Sequence, residues 1–163
     1  MRVAKVVLSA RREHELERVA RACASAKTLI RPLDLAALAS PEAHVAAVVE
    51  RFGRIDILVN NAGISQRSLT TDTPSSVDQH IMKVDCFAKV APSKAVLPGM
   101  LERSHGHIVA ISSLARRMGI PLRSAYSAAK HTLHGFFDTL RVKLFGSDVD
   151  VTVIRRTYAR RSR

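Results

Sequence analysis

The sequence predicts an α/β fold, an open parallel sheet doubly wound by helices on both faces. Three observations carry that expectation. Short β-branched runs alternate with longer stretches of helical periodicity, five such runs are spread along the chain, and no repeat or low-complexity linker interrupts them. One domain suits 163 residues, since domains commonly run to ~100–200. With 47% hydrophobic and 25% charged residues the chain can bury a core, which excludes disordered and collagen-like classes.

The elements follow in order. Ala4–Ala10 reads as a short buried strand rich in β-branched residues. From Arg11 to about Ala24, Leu16, Val19, Ala20 and Cys23 recur at three and four on one helical face. Thr28–Leu35 is the second strand, with Pro32 marking an edge or an end. Ser40 suits an N-cap and Pro41 the first helical position, with Val45, Val48, Val49 and Phe52 forming the apolar side up to Gly53. Asp56–Val59 is the third strand and runs straight into Asn60-Asn61-Ala62-Gly63. A loop rich in Ser and Thr, Ile64–Pro74, precedes a long helix over Ser75–Arg103, with bends expected near Pro92 and Pro98. Gly106 leads into His107–Ser113, the fourth strand. Ser124–Phe145 is a second long helix and Asp150–Ile154 the fifth strand.

Charge and cysteine content narrow the class. The net charge of +12 includes five arginines within the last nine residues, and the remainder carries +7. No aromatic platform accompanies that terminal run, so a solvated tail is expected rather than a nucleic-acid site. The longest apolar stretches, Leu35–Ala39 and Val45–Val49, fall far short of the ~20 residues of a membrane span. Cys23 and Cys86 fit neither a disulfide scaffold nor a zinc motif, and the seven histidines show no paired metal spacing. No metal site is expected, and the default compartment is the reducing cytoplasm.

Ligands of doubly wound sheets bind beyond the carboxyl ends of the strands. That rule directs attention to Ser9–Arg12, Asp34–Leu35, Asn60–Gly63 and Ser112–Ser113, all polar or small. Tyr126 and Lys130 lie four apart in the second long helix and share a face. An ammonium beside a phenol favours the phenolate, and a phenol so placed can exchange a proton with a carbonyl or an alcohol. The plain alternative for such a pair is a solvent-facing i,i+4 contact.

The stretches DILVNNAG (Asp56–Gly63), GHIVAISS (Gly106–Ser113) and YSAAK (Tyr126–Lys130), in this order and spacing, resemble the short-chain dehydrogenase/reductase superfamily. The resemblance spans residues 4–154, and implies a partial, Rossmann-like domain over 1–154 followed by an Arg-rich tail over 155–163. It implies an oxidoreductase passing a hydride between a nicotinamide cofactor and a carbonyl or secondary alcohol. Tyr126 would be the general acid/base, Lys130 would favour its phenolate and hold the nicotinamide ribose, and Ser113 would hydrogen-bond the reacting carbonyl. Asn60, Ala62 and Gly63 would line the adenosine side, and Asp34 with Leu35 would contact adenine. Where NAD-preferring members place a carboxylate, this chain has Ser9-Ala10-Arg11-Arg12, which favours NADP over NAD because guanidinium groups suit a 2′-phosphate. A basic start to an exposed helix is the alternative for Arg11 and Arg12.

Three departures qualify the resemblance. The family's first strand and its glycine-rich turn, which cradles the pyrophosphate, have no counterpart, because no glycine precedes Gly53. The strands at Ala4–Ala10 and Asp56–Val59 then either pair directly or leave apolar edges open. After Ile154 the family's Pro-Gly continuation is replaced by Arg155-Arg156-Thr157-Tyr158. Asp85 stands where the family carries a tetrad asparagine, so it joins Ser113, Tyr126 and Lys130 as a candidate that would compete with the phenolate for the ammonium. The reading is thus of a chain short at both ends, for which turnover is an open question. The alternative function is that of a catalytically impaired relative acting through dimer-type association of the two long helices, with itself or with a full-length relative.

Overall fold

The computed structural model describes residues 3–23, 26–37, 40–113 and 119–156. The chain divides into two units, Met1–Arg54 and Ile55–Arg163. The first holds β1 (Lys5–Ala10), α1 (Glu13–Ala22), β2 (Lys27–Pro32) and α2 (Pro41–Phe52). The second holds β3 (Ile57–Asn60), α3 (Ser75–Met82), a π-helical turn (Lys83–Phe87), α4 (Ala88–Glu102), β4 (Gly106–Ser113), α5 (Ser124–Lys143) and β5 (Val149–Arg156).

In the first unit β1 and β2 run parallel, with Lys5 opposite Lys27 and Ala10 opposite Pro32. The second strand is shorter than its sequence pattern suggests. Pro32 has no N–H to extend the ladder, and the chain turns at Asp34, whose Oδ1 accepts the Ala36 N–H at 2.9 Å. Ser40 caps α2 by accepting the Ala43 N–H at 3.1 Å, and Pro41 occupies the first helical position. Gly53 ends the helix at φ +89°, a left-handed conformation that suits glycine. The helix expected to reach Ala24 ends at Ala22, and Ala24 itself lies outside the described residues.

The second unit is a parallel sheet in the order β3-β4-β5. Parallel strands covered by helices read as nearly continuous apolar runs, and β4 shows why: Ile108 and Ala110 are fully buried, with α4 and α5 both packed on the strand. Phe137, Leu133 and Met100 are equally inaccessible, and Gly106 lies so close to Met100 that a side chain there would collide. Val96 of α4 and Phe137 of α5 belong to this core. Among the described residues β1 pairs only with β2, and β3 only with β4. Ile57 and Val59, on one face of β3, are 60% and 57% exposed.

The long helix carries an irregularity that its sequence pattern does not announce. Pro92 and Pro98 both lie inside α4, while the irregularity is the π-turn at Lys83–Phe87. Val84, Asp85 and Cys86, three consecutive residues of this turn, are all buried. At the other end β5 continues through Arg155 and Arg156, two residues assigned by sequence to the tail. The rest of that tail, 157–163, lies outside the described residues.

Candidate active site

Tyr126 and Lys130 occupy successive turns on the buried face of α5, 9% and 4% exposed. The spacing that put them on one face therefore also put them inside. The Tyr126 ring packs with Ile81, Ala125 and Ala129, flanked by Ile64, Val77, Met82 and Ile120. The Lys130 Nζ lies 5.1 Å from the centre of the Tyr126 ring, and the Arg123 guanidinium 6.0 Å from it. Ser113, the last residue of β4, is buried. Its neighbour Ser112 has a buried Oγ with no hydrogen-bond partner among the described residues.

Asp85 joins this group through the π-turn. Its Oδ1 accepts the Ile64 N–H at 3.1 Å and stands 3.5 Å from the Lys130 Nζ. Burial pushes the Asp85 carboxyl above the usual carboxylate range, against the pull of Lys130 and Lys89. Gly63 passes directly over the pair, and a Cβ at that position would sit 2.6 Å from Asp85 Oδ1 and 3.5 Å from Lys130 Nζ. The NNAG glycine thus permits a close approach of backbone to the ion pair. Asn60, at the end of β3, donates from Nδ2 to Ser93 Oγ at 2.9 Å, and Ser93 donates to the Lys89 carbonyl at 2.7 Å. This asparagine ties β3 to α4, and Ala62 lies half-buried just beyond it.

The remaining sequence-derived candidates belong to the first unit. Ser9, Arg11 and Arg12 are exposed where β1 gives way to α1, with Arg12 at the helix N-cap. Ser9 Oγ is 3.4 Å from His44 Nε2. Burial, and secondarily Arg31, hold the His44 imidazole below its ordinary value. Asp34 is exposed and Leu35 half-buried in the turn after β2.

Two participants escaped the sequence reading. Lys89 is buried one helical turn after Asp85 and donates from Nζ to the Ile111 carbonyl at 3.1 Å. The signal was an i,i+4 acid–lysine pair inside an apolar stripe. Arg31 lies opposite Ser9 in the β1–β2 register, and its signal was a lone charge within a strand pattern. Among the described residues no group of three or more His, Cys, Asp or Glu side chains is placed to hold a metal. None of their helices is long and apolar enough to cross a membrane.

A nicotinamide dinucleotide is the group the fold implies, and the residues present fit one end of it. A phenol and an ammonium converge on one buried face, as a ribose and a reacting oxygen require. No glycine precedes Gly53, which closes α2, so the fit concerns the nicotinamide end alone.

Comparisons with known proteins agree with this geometry. The family model described as short chain dehydrogenase matches residues 2–160. The rat protein named Dehydrogenase/reductase SDR family member 7B is 43% identical over 163 aligned residues, 95% of this chain and 50% of that protein. Human Dehydrogenase/reductase SDR family member 7 is 47% identical over 85% of this chain and 43% of its own length. A metagenomic short-chain oxidoreductase solved in complex with NADP superposes with a TM-score of 0.89 at 29% identity, covering 96% of this chain and 72% of that one. The chain spans about half the length of the curated relatives it matches. With motifs, sheet order and near-complete alignment all in agreement, the chain belongs to the short-chain dehydrogenase/reductase family.

Proposed function

We propose that this chain carries the proton-transfer site of an NADP-dependent oxidoreductase that interconverts a carbonyl and a secondary alcohol. The observation that supports the reading is the buried Tyr126–Lys130 pair on one face of α5, with the ammonium 5.1 Å from the ring centre. The bound cofactor supplies or accepts the hydride. The chain's own residues do the rest. Ser113 donates a hydrogen bond to the carbonyl oxygen, and Tyr126 gives that oxygen its proton as charge develops on it. Lys130 favours the phenolate left behind and holds the nicotinamide ribose, while Asp85 competes for the same ammonium at 3.5 Å.

Arg11 and Arg12 bind the 2′-phosphate, a role that suits two exposed guanidinium groups at the end of β1. Ser9 contributes its hydroxyl there, Asp34 and Leu35 take the adenine, and Asn60, Ala62 and Gly63 flank the adenosine side. The metagenomic relative was solved in complex with NADP, which supports a nicotinamide dinucleotide as the cofactor. The substrate is a small molecule, and association of copies runs through α4 and α5, where Leu101 and Val142 remain exposed. The two free cysteines suit a reducing, cytoplasmic setting. The comparisons do not favour the silent, association-only reading.

Titration of the 163-residue chain with NADPH and NADP+, followed by heat or fluorescence, tests the proposal. Saturable binding is expected, weakened when Arg11 and Arg12 are replaced by Ala. Tyr126→Phe should bind cofactor normally and lose ~10²–10⁴-fold in turnover. No saturation at millimolar cofactor would remove this activity from the chain.

A further inference from the structure

Lys89 is a lysine without a surface. It lies in the first turn of α4, 1% exposed, with one N–H given to the Ile111 carbonyl of β4. The charged and titratable groups that face it are Lys130 from α5 and Asp85 and Cys86 from the π-turn. Asp85 is fully buried, and its Oδ2 has no hydrogen-bond partner among the described residues. Two ammonium groups and one carboxylate are therefore buried together. With all three ionised, one positive charge is uncompensated, which a low-dielectric site penalises heavily.

Releasing one proton removes that excess, and Lys89 is the group placed to release it. Burial, then the Lys130 charge, bring its ammonium down from 10.5 to about 7, although Asp85 and Cys86 pull the other way. Burial pushes the Cys86 thiol up, so the thiol stays neutral in the same range. A neutral Lys89 keeps its hydrogen bond to Ile111 and gains a lone pair.

We propose that Lys89 is a positioning residue for the Tyr126–Lys130 pair, taking up and releasing one proton beneath Lys130 and so setting the charge that Lys130 and Asp85 present to the phenol. Its catalytic consequence rests on the oxidoreductase reading above. When Lys89 releases its proton to solvent, the Lys130 ammonium and the Asp85 carboxylate, 3.5 Å apart, balance one another; when it takes the proton back, one positive charge is added beside them.

The experiment is a pH titration of the 163-residue chain labelled with 13C at the lysine ε-carbons. The seven lysines give few signals, and the one missing from Lys89→Met identifies Lys89, with Lys89→Gln as the substitute if the first variant does not fold. A midpoint near 7 is expected; a Lys89 signal that stays fixed between pH 5 and 9 overturns the proposal.

Stability gives a second readout. The folded chain holds Lys89 less protonated than the unfolded chain between about 7 and 10.5, so the unfolded state binds more protons there and stability rises with pH across that window. Lys89→Met should flatten the rise, whereas a merely structural lysine would leave the slope intact. In turnover, the break of the kcat profile near 7 should move by at least about one pH unit in Lys89→Met. A Lys89 that titrates near 7 in a chain without turnover upholds the proton site and sinks the oxidoreductase reading. Turnover with a static Lys89 does the opposite.

Discussion

The two units differ in how much each has inside. Among the described residues, Met1–Arg54 buries only Leu16 and Val48 as apolar core, and no polar side chain at all. Ile55–Arg163 buries Phe137, Met100, Leu133 and Ile108 completely, together with Asp85, Lys89, Ser93 and Lys130. The thin unit carries Ser9, Arg11, Arg12, Asp34 and Leu35, proposed for the 2′-phosphate and adenine of a cofactor and exposed except for the half-buried Leu35. The dense unit carries the residues assigned to proton transfer. Ionisable groups can be held unpaired and dry only where surrounding packing is strong enough to offset their desolvation. The residues proposed for proton transfer therefore sit where the core is, and Asn60, proposed for the adenosine side, is buried there with them.

The strongest way to break this contrast is at the bottom of the dense core. Phe137→Ala should cost ~3–5 kcal/mol in chemical denaturation, since the ring is wholly inaccessible and packs edge-on against Phe136 at 5.1 Å. Leu16→Ala, in the thin unit, should cost about 2–3 kcal/mol, because a shallow site collapses more readily around the lost volume. Amide exchange sharpens the comparison: Leu16→Ala should accelerate exchange in β1 and β2 and leave β4 unchanged. Equal acceleration in both units would erase the distinction.

Gly63→Ala should cost about 2 kcal/mol, by pressing a methyl against Asp85 Oδ1 at 2.6 Å. A calorimetric measurement alongside cofactor titration would show whether Lys130 moves with it. Ser40→Ala should cost about 1 kcal/mol, the value of a single N-cap that accepts the Ala43 N–H. A loss much above that would mean that α2 is holding more of its unit than its one buried valine suggests.

Much of this site is legible in the residues alone, for a specific physical reason. A helix period is regular, so Tyr126 and Lys130 had to share a face, and a strand that ends in Ser113 had to deliver it to the carboxyl edge of the sheet. The N-cap at Ser40 and the stop at Gly53 follow from equally local chemistry. The π-turn is not local in that sense. Nothing in Lys83–Phe87 favours it by composition, and its wide turn becomes visible only when Val84, Asp85 and Cys86 are all found buried. Lys89 was missed for the same cause. A lysine in a helix is by default a surface residue, and only the altered phase upstream makes sense of it inside. Pro92 and Pro98 lie within α4.

A π-turn is an α-helix carrying one surplus residue, and that surplus is a mechanical reserve. Excising one residue between Lys83 and Phe87 would return the segment to ordinary pitch and swivel its upstream half by ~100°. Asp85 would swing away from Lys130, while α4 kept its seat on the sheet. The same rotation would carry Ile81 off Tyr126 and Ala129, so the surplus residue sets the seat of the acid and of the apolar cluster together.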